Sequence, residues 1–156
     1  MRVFLLVSSR AAFAENPYVH AKALVASLLY SNGIRADAEF ILYLADEGSA
    51  VRVSGASVRS LFPDEESAAG LLRRALRGGR HPGVRLIKGV ELRELARRPI
   101  IDGGPGSCRP PSDFTYVAYM ERSVGLDADC GAGWGQLPPH HQFVVANIEA
   151  DRAHYL

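Results

Sequence analysis

Apolar runs of strand length recur along this chain, separated by segments with helical spacing. Residues 2–9 (RVFLLVSS) are continuously apolar, which is typical of a strand buried on both faces of a parallel sheet. Further strands are predicted where β-branched or aromatic residues cluster between turn residues. These predicted strands are residues 38–45, 51–54, 84–87, 114–120 and 142–148.

Between these strands, apolar residues recur at the spacing of amphipathic helices. The first helix is predicted from Asn16-Pro17, an N-cap followed by proline at the first helical position, through Ser31. Asn32-Gly33 is its predicted C-terminal cap. The second helix runs from Pro63 to Gly78-Gly79, with acidic residues in its first turn and arginines in its last, an arrangement that complements the helix dipole.

The alternation of strands and helices predicts one α/β domain over residues 1–156, with a mainly parallel sheet and helices on both faces. A short helix is expected at 90–98, and turn residues dominate two connections, 102–113 and 125–141. No apolar run reaches the roughly 18–20 residues of a membrane helix. The apolar start is too short for a signal peptide, so we expect a cytoplasmic protein without a membrane partner.

The charges leave the choice of partner open. The net charge is +1, which gives no overall indication of nucleic-acid binding. All but two of the basic residues are arginines, a bias that a GC-rich genome explains and that phosphate recognition would also favour. Arg73, Arg74 and Arg77 either complement the dipole of their own helix or meet phosphate groups.

Cysteine and histidine residues offer no strong site. Cys108 and Cys130 are expected to be free thiols, because the chain carries no export signal. Together with His140 and His141 they are four possible metal ligands, but they lack the paired spacing of a zinc site, so no metal is expected. Trp134, within GAGWG, could stack on a base, although packing of this loop onto the protein body is favoured.

One stretch resembles a known family. Residues 55–76 (GASVRSLFPDEESAAGLLRRAL) are similar to the segment G-x-x-[LV]-[KR]-x-[LV]-x-P-D-E of archaeal enzymes that methylate N1 of pseudouridine in the TΨC arm of tRNA. Residues 23–37 and 82–97 resemble that family's first helix and a later strand and helix. These enzymes belong to the SPOUT class, so the resemblance implies a three-layer SPOUT-like fold, a homodimer and S-adenosylmethionine as cofactor.

The resemblance also implies a substrate site. Tyr18 and Lys22 fall on a pattern of the first helix that faces substrate in the family, and Lys22 replaces an arginine there. Arg59, in the G-x-x-V-R turn, and Trp134 are further candidates for substrate binding. Lys22 and Asp64 are the candidates to orient the substrate for catalysis.

The cofactor site implied by the resemblance lies at two strand ends. The first is matched by Ala118 and Met120. The second is the strand expected within residues 143–150, which contributes Ala146, Asn147 and Ile148. Several family glycines are replaced here, and the chain is expected to end before the family's final elements and to lack the complete C-terminal knot.

Three functions therefore stay open. The first is a methyltransferase dependent on S-adenosylmethionine that acts on a pseudouridine-type base, in RNA or as a free nucleoside. The second is a repurposed SPOUT-fold protein that has lost methyl transfer and acts on another small molecule, a hypothesis favoured by the replaced glycines. The third is a non-catalytic dimer that binds RNA.

Overall fold

The computed structural model describes residues 1–30 and 33–155. Strands and helices alternate along most of this part of the chain. In chain order they are β1 (Arg2–Ser8), α1 (Arg10–Glu15), α2 (Pro17–Leu28), β2 (Leu29–Tyr30), β3 (Gly33–Ile34), β4 (Ala38–Leu44), β5 (Ser49–Ser54), α3 (Glu65–Leu76), β6 (Val84–Lys88), α4 (Leu92–Leu95), β7 (Ile100–Asp102), β8 (Phe114–Tyr119), β9 (Cys130–Gly131) and α5 (Pro139–Tyr155).

The main sheet is mostly parallel. Within the described residues its order is β6-β5-β4-β1-β8-β7-β9, and β2 pairs with β3 in a separate small hairpin. β1 pairs in parallel with both β4 and β8, and β7 pairs in parallel with β8 and β9. Only β5 runs against its neighbours β4 and β6. The predicted α/β class, with a mainly parallel sheet, is confirmed.

Both faces of the central strand are buried, which explains its unbroken apolar run. Phe4 and Leu6 belong to a core shared with α2, α3 and α5. Val3, Leu5 and Val7 point the other way, into a smaller core that includes residues of α4. Helices therefore cover both faces, as predicted. No helix among the described residues is long and apolar enough to span a bilayer.

The predicted final strand, residues 142–148, is wrong: this segment lies within helix α5. Its β-branched valines and isoleucine suggested a strand, but a short apolar run does not distinguish the two structures. The buried residues Phe143, Ala146 and Ala150 recur at intervals of three and four, which is helical spacing. Pro139 opens the helix, where a proline costs no hydrogen bond.

Several other boundaries differ from the predictions. α2 ends at Leu28 rather than Ser31, and both Ser31 and the predicted cap residue Asn32 lie outside the described residues. α3 begins at Glu65, because the side chain of Asp64 accepts from the backbone N–H of Ser67 at 2.8 Å and caps the helix.

In the second half of the chain, three short elements depart from the sequence analysis. The helix predicted at 90–98 shrinks to α4, four residues long. β7 ends at the first residue of the predicted loop 102–113, β9 lies inside the predicted loop 125–141, and neither is predicted as a strand. Their backbone pairing, rather than a run of apolar residues, defines them.

A buried arginine ties α5 to the sheet. Arg2, on β1, is 5% exposed, and its guanidinium donates to Asn147 Oδ1 at 2.8 Å and meets Asp151 Oδ1 at 2.7 Å. Arg35 donates to both oxygens of Asp151 at 3.0 Å. Asn147 in turn donates to the carbonyl of Ala26 at 2.8 Å. These contacts fix the position of α5 against β1 and α2.

Candidate functional site

Three loops converge at the carboxyl ends of the parallel strands β7, β8 and β9. This edge is where parallel α/β sheets place their ligand sites. The loops and the first turns of α5 enclose a cavity of about 130 Å³. Its lining combines glycine backbone with polar side chains: Asp102, Gly103, Gly104, Val117, Ala118, Tyr119, Arg122, Gly135 and Gln142.

Glycines let two of these loops cross in close contact. Gly135 N–H donates to the carbonyl of Gly103 at 2.8 Å, and Gly133 N–H donates to that of Gly104 at 2.8 Å. A Cβ added at Gly103 would lie 2.8 Å from the Cα of Gly135. One added at Gly131 would collide with the carbonyl oxygens of the facing loop. The floor of the cavity therefore depends on residues without side chains.

The expectation of two free thiols is wrong, since Cys108 and Cys130 form a disulfide. Their Cα atoms are 6.0 Å apart, a separation that a disulfide spans without backbone movement. The expectation rested on cellular redox conditions and carried no geometric information. The bond links the loop after β7 to β9, two cysteines that are 22 residues apart in the sequence. Closing a loop of this length restricts the unfolded chain and stabilises the folded state by about 3 kcal/mol.

Gln142 is held in one orientation by two hydrogen bonds. Tyr116 Oη donates to Gln142 Oε1 at 2.7 Å, and Gln142 Nε2 donates to the carbonyl of Leu137 at 2.7 Å. Burial raises the pKa of Tyr116, and the charge of Asp102 raises it further. The phenol therefore stays protonated and keeps donating, so Gln142 presents a fixed amide beside the cavity.

The outer side of the cavity is formed by the loop after β8. The exposed Arg122 lies over the ring of Tyr119, with its guanidinium carbon 4.9 Å from the ring centre. The Tyr119 hydroxyl accepts from the backbone N–H of Leu126 at 2.9 Å and so fastens the loop to its own strand. An exposed guanidinium stands at the mouth of the cavity.

A second group of polar side chains joins α2 to the first turns of α3 and α5. We call it the Lys22 cluster, and its members are Tyr18, Lys22, Glu65, Glu66 and His140. Tyr18 Oη donates to Glu66 at 2.8 Å, and Lys22 Nζ lies 3.5 Å from Glu65. Burial lowers the pKa of His140, and His141 and Lys22 lower it further against the opposing charge of Glu65. His140 is therefore a neutral imidazole at pH 7, and its buried Nδ1 has no hydrogen-bond partner among the described residues.

The structure brings together only part of the predicted substrate site. Tyr18 and Lys22 lie one turn apart in this cluster. Asp64 caps α3, and its hydrogen bonds from Ser67 lower its pKa, so its carboxylate is a poor proton acceptor at neutral pH. Arg59 lies elsewhere, in a turn that contacts Pro82. Trp134 stacks on Tyr116 with ring centres 5.7 Å apart.

Only part of the predicted cofactor site lies at the cavity as well. Ala118 lines the cavity, and Met120 follows at the strand end, where its N–H donates to the carbonyl of Val7 at 2.7 Å. Ala146 and Asn147 are buried in the middle of α5, whereas Ile148 is 48% exposed there, and none of the three lines the cavity.

Sequence reasoning missed Asp102 and Gln142 as site residues. Asp102 is the last residue of the three-residue strand β7 and the first residue of the predicted loop 102–113. Had β7 been recognised, an acidic residue at its carboxyl end would have pointed to this edge of the sheet. Gln142 was missed because residues 142–148 were predicted to form a strand, whereas they lie in α5.

The fold and the cavity define an α/β protein with a candidate ligand site at the carboxyl ends of its parallel strands. No protein-family model matches the chain. It is 34% identical, over an alignment of 164 positions, to the tRNA (pseudouridine(54)-N(1))-methyltransferase of Haloarcula marismortui. The match covers 86% of this chain and 82% of that protein. The chain therefore belongs to the tRNA (pseudouridine(54)-N(1))-methyltransferase family, which confirms the resemblance.

Two further proteins of the same name match shorter segments. The one from Halobacterium salinarum is 43% identical over 58 residues, which cover 37% of this chain and 29% of that protein. The one from Methanopyrus kandleri is 38% identical over 76 residues, which cover 44% of this chain and 37% of that protein. These two matches span less than two fifths of either relative.

Proposed function

We propose that this protein transfers a methyl group from S-adenosylmethionine to N1 of a pseudouridine in tRNA. The observation that carries the proposal is the match over 82% of a relative named for that reaction. The glycine-lined cavity and the Lys22 cluster, which each include a residue from the first turn of α5, support it, because they offer a candidate ligand site and groups that can orient a base. A tRNA substrate also agrees with the expected cytoplasmic location.

The residues around the cavity suit the proposed cofactor. Asp102 offers carboxylate oxygens to hydroxyl groups, Arg122 offers a guanidinium to a carboxylate, and the glycine backbone allows close approach. When bound, S-adenosylmethionine would supply an electrophilic methyl group on a positively charged sulfur. The cavity, about 130 Å³, is smaller than the roughly 300 Å³ of typical ligand pockets. We therefore propose that residues 122–125 move outward when the ligand enters.

The Lys22 cluster supplies the proton acceptor and the polar groups that the proposed reaction needs around the base. N1 of pseudouridine carries a proton that must leave as the new N–C bond forms, so the reaction needs a proton acceptor. His140 suits this role because burial, together with the charge of nearby Lys22, lowers its pKa and keeps it neutral at pH 7. Lys22, held by Glu65, offers an ammonium group to a carbonyl oxygen of the base. Tyr18, which is exposed beside it, offers a phenol to the same base.

Calorimetry and a methylation assay test this proposal together. The folded protein is expected to bind S-adenosylmethionine with measurable heat and to methylate a pseudouridine-containing tRNA. Replacing His140 by Gln is expected to lower kcat by about 100-fold, at the lower end of typical losses of a general base. His141→Gln is the matched control, since its exposed ring is 4.2 Å from His140, and it should change kcat less than tenfold.

Absence of binding heat in a correctly folded sample would contradict the proposal. It would favour the alternative of a repurposed fold that acts on another small molecule. If His140→Gln and His141→Gln lowered kcat equally, His140 would not be the proton acceptor. The proposal of methyl transfer would not be affected by that result.

We also propose a homodimer that forms through α5. Val144 and Ile148 lie one helical turn apart and are 41% and 48% exposed, so they form an apolar patch on one face of the helix. Ile148→Asp is expected to convert a dimer into a monomer, as measured by light scattering. Val124→Asp, at an exposed apolar position in a loop, should leave the mass unchanged. A monomeric unsubstituted protein would overturn this assignment.

A further inference from the structure

The positive charges of this chain are concentrated in one segment. Residues 67–90 contain Arg73, Arg74, Arg77, Arg80, Arg85 and Lys88 and no aspartate or glutamate. Because the whole chain carries +1, a segment that carries +6 leaves the remainder at −5. The small net charge therefore hides a strong separation of charge along the chain.

The structure places these cations on one edge of the molecule. The segment comprises most of α3, the turn that follows it, and β6, which is the edge strand next to β5. Residue 73 is half-buried, whereas the other five side chains are exposed. Those five are Arg74, Arg77, Arg80, Arg85 and Lys88. We call this surface, including Arg73, the basic edge.

Within the described residues, none of the basic-edge cations has a carboxylate partner. Elsewhere in that part of the chain at least nine of the other twelve lysine and arginine side chains form ion pairs. The basic edge also places like charges together: Arg85 lies directly opposite Arg52 across two antiparallel strands, and Arg73 and Arg77 are one turn apart at the end of α3. Glu39 compensates Arg52 at 3.7 Å and the helix dipole favours the two arginines, but the cations of the basic edge themselves keep no carboxylate partner among the described residues.

An open groove runs through this surface. It has a volume of about 680 Å³, and it lies between the turn after α3 and β6. Its lining includes Arg80, His81, Arg85 and Lys88, with glycine backbone at Gly78 and Gly79. The turn that holds Arg59 adjoins the groove, because the ring Nε2 of His81 donates to the Arg59 carbonyl. Arg59 is exposed there and adds a further cation.

We propose that the basic edge binds the phosphodiester backbone of the tRNA at a distance from the reacting base. This inference rests on the proposed function. The twelve residues of α3 span about 18 Å, and the helix begins at the Lys22 cluster and ends at the basic edge. A free nucleoside cannot reach both places, whereas a folded RNA covers such a distance. The basic edge therefore selects a polymer over a nucleoside.

The test compares two double variants that lose the same charge. Arg77→Gln with Arg80→Gln removes exposed cations from the basic edge, and Arg93→Gln with Arg97→Gln removes exposed cations from the region of α4. Binding of an unmodified tRNA transcript is measured by fluorescence anisotropy over a range of salt concentrations. Loss of two phosphate contacts is expected to lower the slope of log K against log salt by about 1.5 to 2, which weakens binding at 0.1 M salt by roughly 30- to 100-fold.

The control pair is expected to bind the transcript like the unsubstituted protein. Equal salt slopes for both double variants would overturn the proposal, and so would a basic-edge variant that loses affinity for anionic phosphatidylserine vesicles but not for tRNA. Methyl transfer to the same transcript, measured in parallel, tests the proposed function separately. If the predicted salt slopes are measured but methyl transfer is not, RNA binding by the basic edge is supported and the proposed activity is contradicted.

Discussion

Replacing Gly131 by alanine is expected to abolish binding of the proposed cofactor and to destabilise the protein by about 3 kcal/mol. The added Cβ would collide with the carbonyl oxygens of Gly104 and Pro105, which are backbone atoms and cannot turn aside. Overpacking against backbone costs about 1–3 kcal/mol, and the upper end applies because two oxygens are struck at once. Moving the loop after β7 away from β9 would also remove Gly103 and Gly104 from the cavity wall.

Gly70→Ala is the matched control for this substitution. Gly70 lies inside α3, and nothing stands within 4 Å of an added Cβ. Alanine should therefore raise stability by up to about 1 kcal/mol through helix propensity, without touching the cavity. Thermal unfolding and calorimetry measure the two effects. If Gly131→Ala bound S-adenosylmethionine as tightly as Gly70→Ala, the crossing of the two loops would not form the cofactor site.

Replacing Asp151 by alanine is expected to lower the free energy of unfolding by about 3 kcal/mol. Arg2 is almost fully buried, and Asp151 is the carboxylate nearest to its guanidinium. Removing one partner of a buried ion pair costs about 3–5 kcal/mol, and the lower end applies because the Asp151 side chain is 33% exposed. Arg152→Ala, which removes an exposed ion pair one residue further along α5, should cost less than about 1 kcal/mol.

The contribution of Asp151 to the free energy of unfolding is expected to decrease as the pH falls. Burial alone would raise the pKa of Asp151, but hydrogen bonds from Arg35 and Arg2 outweigh it and hold the pKa below its ordinary value. A carboxyl group with a lowered pKa stabilises the folded state above the unfolded-state pKa, and that contribution is lost as the pH falls through the folded value. The difference between the unsubstituted protein and Asp151→Ala should therefore shrink below about pH 4. A difference that stayed constant down to pH 2 would contradict the role of the ionised carboxylate.

The sequence predicts the longer elements of the first half well, because periodicity and end signals agree there, but it misses the short elements α1, β2 and β3. The Asn16-Pro17 pair starts α2, and the double glycine after α3 marks its end. The second half fails where pairing partners, rather than local residues, decide the structure. β9 is only two residues long and exists because it pairs with β7. α5 contains enough β-branched residues to resemble a strand until its buried positions are known.

The candidate site was predictable only where the resemblance supplied it. Lys22, Tyr18 and Ala118 were found in this way, and the structure places the first two together and the third in the cavity wall. Asp102 and Gln142 lie forty residues apart, and neither carries a local motif. Their proximity results from the order of β7 and β8 in the sheet and from the position of α5, which spacing along the sequence does not encode.

The place of β1 in the sheet has a consequence for synthesis of the chain on the ribosome. Of the described strands β1 leaves the ribosome first, yet one of its two neighbours, β8, ends only at Tyr119. The other neighbour, β4, is complete at Leu44, so about 75 residues are made while β1 has a partner on one side only. At roughly 5–20 residues per second, this apolar strand keeps an open edge for about 4–15 s. Open apolar edges recruit other strands, so the nascent chain is exposed to aggregation through β1 until β8 emerges.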